Sequence, residues 1–270
     1  MSNISMERRG SGAPVALLHG IGGRWQGFEP ILDVLAAQHE VIAIDLPGFG
    51  ASPLWPGIVP GPRGYAAWLK TWLAGEGIDR PHIVGSSMGG AVGLELGRAG
   101  VAASVTAFSP IGFWNAAGVR WTQGMLTTMR GAGTYAGAVV DRALGAKPGR
   151  GALLAPLFGH PTRVDPDAAR GDVAALCAAR AFVHARSSFT DYALRASDDL
   201  GVLVEVPVTI GWGTRDVITT WRTQSARARA VLPFARHVDL PGCGHLPFND
   251  DPELCARVVL ETVAQAQEKR

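Results

Sequence analysis

Short runs of apolar residues recur along the chain and alternate with longer segments that have helical spacing. Each run has four to six residues, which is the length of a buried β-strand. The runs occupy residues 14–18, 41–45, 82–85, 104–109, 206–211 and 236–240. Between two of them lies a helical pattern whose apolar face consists of Tyr65, Trp68, Leu69, Trp72 and Leu73. This alternation predicts an α/β fold, with a mostly parallel sheet flanked by helices.

The alternation stops between residues 111 and 200. That stretch contains no clear strand, and its helical segments are short and separated by Gly and Pro. Strand-like runs return after it. We therefore expect residues 1–110 and 201–270 to form one α/β core, interrupted by a helical segment at 111–200.

A serine lies on a predicted strand-to-helix turn. The sequence Gly-Ser-Ser-Met-Gly at 85–89 follows the apolar run at 82–85 and precedes a helical pattern. Gly85 and Gly89, two residues to either side of Ser87, leave the space that such a sharp turn requires. A chance match is the alternative in a chain with 35 glycines, so the rest of the sequence has to decide. Ser87 is a candidate nucleophile.

A serine nucleophile needs a general base, and the base needs an orienting carboxylate. His245 lies in a glycine-rich loop after the run at 236–240, and Asp216 follows the run at 206–211 through a glycine-containing turn. In open parallel sheets the active site lies beyond the carboxyl ends of the strands, and both residues follow such ends. The chain therefore holds Ser87, Asp216 and His245 in the order Ser, Asp, His.

Attack on an acyl carbon also produces an oxyanion, which two backbone N–H groups must stabilise. Met88 follows Ser87 at the positive end of the next predicted helix. The run at 14–18 ends in His-Gly-Ile-Gly-Gly at 19–23. From this segment we expect Ile21 to be the second donor, with Gly22 as the alternative.

Together these motifs resemble the α/β-hydrolase superfamily, in its group of single-domain serine hydrolases that bear a cap. They are His-Gly-Ile-Gly-Gly at 19–23, Asp-Leu-Pro-Gly-Phe-Gly-Ala-Ser at 45–52, Gly-Ser-Ser-Met-Gly-Gly at 85–90, and Trp-Gly-Thr-Arg-Asp at 212–216 with Gly-His-Leu-Pro at 244–247. They occur in the family's order and span nearly the whole chain. The resemblance implies a nucleophile at Ser87, a base at His245, an orienting acid at Asp216, no cofactor and no metal. It also implies that residues 111–200 form a helical cap, inserted after the strand that follows the nucleophile helix.

The sequence departs from that family near its beginning. The family's sheet usually opens with two antiparallel strands, but only eighteen residues precede His19. We expect one strand near residues 4–9 and a first strand that is absent or minimal.

Four other polar residues are expected to stabilise the fold and not to take part in catalysis. His19 is expected to pack at its strand end and hydrogen-bond the neighbouring loops. Asp45 ends a strand beside Pro-Gly-Phe-Gly at 47–50, where relatives use it to order the loop. Asp250 and Asp251 precede Pro252 and are expected to offset the dipole of the last helix.

The identity of the residue at the turn, Ser87, limits which reactions the chain can be expected to catalyse. Relatives that attack carbon–halogen bonds or epoxides have an aspartate there, so Ser87 argues against both. Some relatives place the acid after the strand at 104–109, but no acidic residue lies between Glu95 and Asp141. We therefore expect a serine hydrolase of the carboxylesterase type, acting on a small to medium, largely apolar ester through an acyl-enzyme.

Large apolar side chains near the motifs and in the helical segment are the candidates for lining the substrate pocket. They are Trp25, Phe113, Trp114, Trp121, Met125, Met129 and Phe158, among which Trp25, Trp114, Trp121 and Met125 are the predicted substrate-binding residues.

Three alternatives stay open. One is carbon–carbon bond hydrolysis of a vinylogous diketone, with Arg180 or Arg186 binding the substrate's carboxylate. A second is perhydrolase or lyase chemistry with the same triad. The third is a small-molecule receptor that keeps the triad and shows little turnover, since fold and triad alone do not fix function.

Composition agrees with one globular enzyme domain of 270 residues, 47% hydrophobic and 18% charged. The net charge of +2, without a dense basic run, predicts neither a nucleic-acid nor a membrane partner. Residues 1–10 lack the apolar core of a signal peptide, and no segment has the length of a membrane span. The three cysteines have no metal-ligand spacing and suit a reducing compartment. We expect a cytoplasmic monomer or homodimer whose partner is a small-molecule substrate.

One of these cysteines, Cys243, lies next to the His245 loop. We interpret it as a small filler residue, with a redox-sensitive thiol as the alternative.

Overall fold

The computed structural model describes residues 4–268, whose centre is a seven-stranded sheet with the order β1-β3-β2-β4-β5-β6-β7. Its strands are β1 (Met6–Arg9), β2 (Pro14–Leu18), β3 (Glu40–Ile44), β4 (His82–Ser86), β5 (Ser104–Phe108), β6 (Val208–Gly213) and β7 (Arg236–Leu240). β1 pairs antiparallel with β3, and every other pairing is parallel. The mostly parallel α/β sheet is thus confirmed, and each of the six predicted runs becomes a strand.

The beginning of the sheet also agrees with the prediction of a single strand near residues 4–9. β1 is the only strand on this edge within the described residues, and it is aligned with Met6 opposite Ile44. Residues 1–3 lie outside the described part of the chain.

Ten α-helices are found in residues 4–268. They are α1 (Glu29–Ala36), α2 (Pro62–Gly75), α3 (Met88–Arg98), α4 (Ala116–Tyr135), α5 (Gly137–Leu144), α6 (Lys147–Leu153), α7 (Pro166–Ala178), α8 (Phe182–Ser188), α9 (Ala226–Val231) and α10 (Pro252–Glu268). None of them is long and apolar enough to cross a membrane.

Two hydrophobic cores lie on opposite faces of the sheet, because successive side chains of a strand point to opposite faces. In β2, Ala16 and Leu18 belong to the core that contains α2 and α3. Val15 and Leu17 belong to the core that contains α1 and α10. Both faces are covered by helices, so the five inner strands β2 to β6 are buried at almost every position, whereas the edge strands β1 and β7 are largely polar.

The chain between β5 and β6, residues 109–207, is called the helical insertion below. It contains α4 to α8 and no strand, which is the interruption that the sequence predicts. Its own small core includes Leu144, Leu154, Phe158 and Val164. Its division from the rest of the chain as a cap domain at residues 111–200 stays a prediction.

Candidate active site

Ser87 lies on the sharp turn between β4 and α3. Its backbone has φ 55° and ψ −115°, a positive-φ conformation that residues with a side chain rarely adopt. A Cβ on Gly85 would overlap the Gly89 carbonyl, and a Cβ on Gly89 would overlap the Leu18 carbonyl, so both positions require glycine. The turn is held by a hydrogen bond from Ser87 N to Phe108 O (2.9 Å). The strained conformation is therefore fixed by its surroundings, as such conformations must be in order to persist.

Asp216 and His245 come from different loops and meet in a hydrogen bond. Asp216 follows β6, His245 follows β7, and both side chains are buried. His245 Nδ1 lies 2.9 Å from Asp216 Oδ2. Because an ionised carboxylate only accepts, Nδ1 carries the proton and Nε2 has its lone pair available.

Asp216 accepts three further hydrogen bonds. Ile218 N (2.8 Å) and Thr219 N (3.0 Å) donate to Oδ1, and Thr219 Oγ1 (2.7 Å) donates to Oδ2. Burial alone would raise the pKa of Asp216, but the His245 imidazole and the hydrogen bonds outweigh it and lower the pKa. Asp216 is therefore ionised. Thr219 is a partner that the sequence reasoning missed, although an Asp followed three residues later by Thr is a spacing at which side chains bond locally.

One cavity of about 300 Å³ brings Ser87 and His245 together with the loop at 19–23. Its other walls are mainly apolar and come largely from the helical insertion. They include Leu126, Met129, Leu157, Phe158, Leu176 and Phe248. Its size is at the lower end of the range for small-molecule sites.

The two expected oxyanion donors are near Ser87. A Cβ on Gly20 would lie 3.0 Å from Ser87 Cβ, so the loop that carries Ile21 passes directly beside the serine. Ile21 also lines the cavity. Met88 is the first residue of α3, and its N–H belongs to the first turn, where N–H groups have no acceptor within the helix. Met88 thus follows the serine along the chain, and Ile21 follows Gly20 in the loop beside it.

His19 and Asp45 support this loop. Leu46 N donates to His19 Nε2 (3.0 Å), which leaves Nδ1 to donate to Gly20 O (2.7 Å). Burial lowers the pKa of His19, consistent with this neutral form. Asp45 accepts from Trp25 N (2.6 Å) with Oδ1, and from Ala51 N (2.8 Å), just after the segment at 47–50, with Oδ2. Both side chains therefore have the loop-ordering contacts that the sequence predicts for them.

The structure does not bring the four predicted substrate-binding residues into this cavity. Trp25 packs against the core on the α1 side of the sheet. Trp114 donates its indole N–H to Tyr192 O (2.9 Å). Trp121 is 49% exposed and donates its indole N–H to Val217 O (2.7 Å). The candidates absent from the cavity wall are Trp25, Phe113, Trp114, Trp121 and Met125, whereas Met129 and Phe158 are present.

The geometry of α4 explains the difference. This helix has 20 residues and is about 30 Å long, so only part of it reaches the cavity. The part that does so begins at Leu126 and includes Met129 and Gly133, which recur at helical spacing on one face. Met125 lies on the same face as Met129, four residues later, but it comes before the part of the helix that reaches the cavity. Arg180 and Arg186 do not line the cavity either.

Asp250 joins the helical insertion to the His245 loop. Its buried carboxylate accepts hydrogen bonds from Gly159 N (2.8 Å), His160 N (2.7 Å) and Gly244 N (2.8 Å). Asp251 instead accepts from Leu254 N (3.0 Å), as the N-cap of α10. The prediction that both offset the helix dipole therefore describes Asp251 but misses the contacts of Asp250.

The same two segments are also in close backbone contact. Leu246 N donates to Leu157 O (2.9 Å). A Cβ on Gly159 would overlap Gly242 O, and a Cβ on Gly244 would lie 2.6 Å from Leu157 O. The insertion therefore touches the loop that carries His245 at positions where only glycine fits.

Residues 4–268 contain no group of three or more His, Cys, Asp or Glu side chains that could hold a metal ion.

Comparison with known proteins agrees with this fold. Residues 15–258 match the model of a family described as "Alpha/beta hydrolase family". The chain is 36% identical over 128 residues to an acetyltransferase component of an acetoin cleaving system from Cupriavidus necator, which covers 46% of this chain and 34% of that protein. It is 36% identical over 98 residues to a pimeloyl-(acyl-carrier protein) methyl ester esterase from Aeromonas hydrophila, covering 35% of each. The chain thus spans about a third of each of these two relatives.

A solved structure shares the fold over nearly the whole chain. A thermophilic esterase from Thermogutta terrifontis superposes with a TM-score of 0.73 at 22% identity, covering 97% of this chain and 93% of that one. At this level of identity the likeness concerns the fold alone.

Proposed function

The chain belongs to the alpha/beta hydrolase family, and on this basis we propose that it is a serine hydrolase that cleaves a small to medium, largely apolar carboxylic ester through an acyl-enzyme. The observation that carries the proposal is the buried hydrogen bond between His245 and Asp216, with His245 lining the same cavity as Ser87. The similarity to an esterase relative also supports an ester substrate.

In the proposed acylation step, Ser87 Oγ attacks the acyl carbon of the ester and gives its proton to His245 Nε2. The Asp216 carboxylate accepts the Nδ1–H of the same ring and stabilises the imidazolium that forms. The amides of Ile21 and Met88 stabilise the negative charge on the former carbonyl oxygen. His245 then returns the proton to the departing alkoxide, which leaves as the alcohol.

In the proposed deacylation step, water replaces the alcohol. His245 takes a proton from the water as it attacks the acyl carbon, and returns that proton to Ser87 Oγ when the carboxylic acid leaves. The enzyme is regenerated without a change of oxidation state.

The cavity supports an apolar substrate of limited size. Burial of a methylene contributes about 0.8 kcal/mol, which corresponds to about a fourfold change in kcat/KM if the contact is present in the transition state. We therefore expect kcat/KM to rise with acyl length by about this factor per methylene, until the cavity of about 300 Å³ is full, and then to fall.

The test is steady-state hydrolysis of p-nitrophenyl esters from acetyl to dodecanoyl, with Ser87→Ala and Ser86→Ala in parallel. Ser86 is a matched control, because it is the adjacent hydroxyl, lines the same cavity and has no hydrogen-bond partner among the described residues. Turnover that is lost in Ser87→Ala but retained in Ser86→Ala supports the proposal. Activity that survives in Ser87→Ala contradicts the nucleophile assignment, and no turnover on any ester contradicts the esterase proposal and favours a carbon–carbon substrate or a receptor.

A further inference from the structure

The loop that carries Ile21 lies directly against α7 of the helical insertion. Gly22 has φ +73°, and a Cβ there would overlap the Leu176 side chain. On the helix, a Cβ on Gly171 would overlap the Arg24 guanidinium. Loop and helix thus meet at two points where glycine is required for the contact.

Arg24, in the loop, makes two hydrogen bonds to α7. Its Nε donates to Asp172 Oδ1 (2.8 Å), and its Nη2 donates to Ala168 O (3.1 Å), about one turn earlier on α7. The side chains are 20% exposed for Arg24 and 37% for Asp172, and both line the cavity. This ion pair is therefore less screened by solvent than a pair on the open surface.

The core holds the two ends of the loop and the buried side chain of Ile21. His19 Nδ1 donates to Gly20 O (2.7 Å), and Trp25 N donates to Asp45 Oδ1 (2.6 Å). Two of the four residues between these ends are glycines, which have the greatest backbone freedom. The Ile21 side chain and a turn hydrogen bond from Gly23 N to Gly20 O (3.1 Å) hold the inner side of the loop, and α7 supplies the contacts on its outer side.

We propose that Arg24 is a positioning residue for the oxyanion hole, and that its bonds to Asp172 and Ala168 make α7 the support that holds the Ile21 N–H in place. This inference rests on the proposed function, because it concerns the same site. An oxyanion donor acts through its preset position, and a misplacement of about 1 Å can cost about 100-fold in rate. Direct binding of an anionic substrate by Arg24 is the less favoured role, because Asp172 already neutralises the guanidinium.

The experiment measures phosphonylation of Ser87 by a small alkyl fluorophosphonate, which does not depend on knowing the natural substrate. Ser87 Oγ bonds to phosphorus, the P–F bond breaks, fluoride leaves with its electron pair, and His245 takes the serine proton. The negative charge that develops on the phosphoryl oxygen needs the same donors as an acyl oxyanion. The rate is measured by mass spectrometry for the wild type, Arg24→Gln, Asp172→Asn and the double variant.

Arg170→Gln is the matched control. Arg170 lies on the same helix and pairs with Asp141 and Asp167, so this variant removes an ion pair of α7 that does not reach the loop. Circular dichroism melting checks that each variant is folded.

We expect Arg24→Gln to slow phosphonylation about tenfold or more, Asp172→Asn to slow it in the same direction, and the double variant to be no slower than Arg24→Gln alone. For hydrolysed esters, the loss should be in kcat with KM nearly unchanged. An unchanged rate in folded Arg24→Gln overturns the inference, as does an equal loss in Arg170→Gln. A rise in KM confined to esters that bear a carboxylate instead assigns Arg24 to substrate binding. Absence of Ser87 labelling in the wild type contradicts the proposed function itself, so the two failures are distinguishable.

Discussion

Replacement of Asp250 by Asn tests whether the contact between the helical insertion and the His245 loop contributes to stability. Asp250 Oδ2 accepts from Gly159 N and Gly244 N, and Oδ1 accepts from His160 N. An Asn side chain has the same shape but only one acceptor oxygen. If this oxygen keeps the first two bonds, the amide NH₂ faces the His160 N–H, and two donors are left without an acceptor.

The magnitude follows from these contacts. A hydrogen bond to a charged group contributes about 1.5 to 3 kcal/mol, and a buried donor left without a partner costs about 1 to 3 kcal/mol. We expect Asp250→Asn to lower the free energy of unfolding by about 3 kcal/mol, which for a domain of this size lowers Tm by roughly 5 to 10 °C. Because Gly244 precedes His245, kcat/KM should also fall, by about tenfold.

Asp251→Asn is the control, with the same change of charge at the next residue. Asp251 makes a capping bond to Leu254 N, and Asn is an equally good N-cap, so Tm should change by about 1 °C or less. The assay is differential scanning calorimetry of the two variants with ester hydrolysis at the same pH. Equal Tm values for the two variants would refute the reasoning, because the three buried bonds of Asp250 would then contribute nothing.

Three further predictions concern other buried groups. Thr219→Val removes a hydrogen bond to Asp216 and should lower the free energy of unfolding by about 2 kcal/mol, whereas Thr219→Ser keeps the hydroxyl and should not. The lowered pKa of Asp216 contributes stability that is lost as pH falls through that pKa, and loss of the Thr219 bond raises it. Acid unfolding of the Val variant, followed by urea titration, should therefore begin at a higher pH. Burial lowers the pKa of His19, His39 and His237. Below about pH 6.5 the unfolded chain therefore takes up protons first, and stability should fall by at most about 1.4 kcal/mol per pH unit for each histidine until its folded pKa is reached. A urea midpoint that stays flat down to about pH 5 would contradict this. Burial raises the pKa of Cys243 to about 12, so few Cys243 thiols are in the reactive thiolate form. Iodoacetamide should therefore label the half-buried Cys177 first, as measured by peptide mass spectrometry. Labelling of Cys243 first would instead favour a redox-sensitive thiol at that position.

Features of the site that depend on local sequence could be predicted without the structure. The turn at Ser87 is one, because glycines at 85 and 89 and an apolar run before them satisfy a steric requirement within five residues. The placement of Asp216 and His245 is another, since both follow apolar runs that become β6 and β7. Parallel strands bring their carboxyl ends to one edge, so residues after them converge.

The residues that line the cavity could not be predicted in the same way. How far along α4 the cavity extends depends on how the insertion packs on the rest of the chain, and one residue separates Met125 from Leu126, which lines the wall. Apolar character alone does not distinguish the two. Trp121 shows the same limit, because a large aromatic residue of α4 is half exposed and bonded to the loop at Val217.

The contacts of Asp250 had no local signal either. Two of its three donors, Gly159 and His160, are 91 and 90 residues away along the chain. The position before Pro252 at the start of a helix favours a capping interpretation, which describes its neighbour Asp251. A buried carboxylate that bonds distant backbone groups can be found only once the fold brings them together.

The backbone contact between the helical insertion and the His245 loop has a consequence for engineering by domain exchange. Transfer of a relative's insertion onto this chain would place foreign residues against Gly242 and Gly244, where a side chain at position 159 has no room. We therefore expect a chimera that is joined only at the ends of β5 and β6 to displace His245, whichever relative supplies the insertion. Crossover points that move residues 157–160 together with 242–250 keep this contact intact, and libraries designed in this way should retain far more active members than those cut at the insertion's ends.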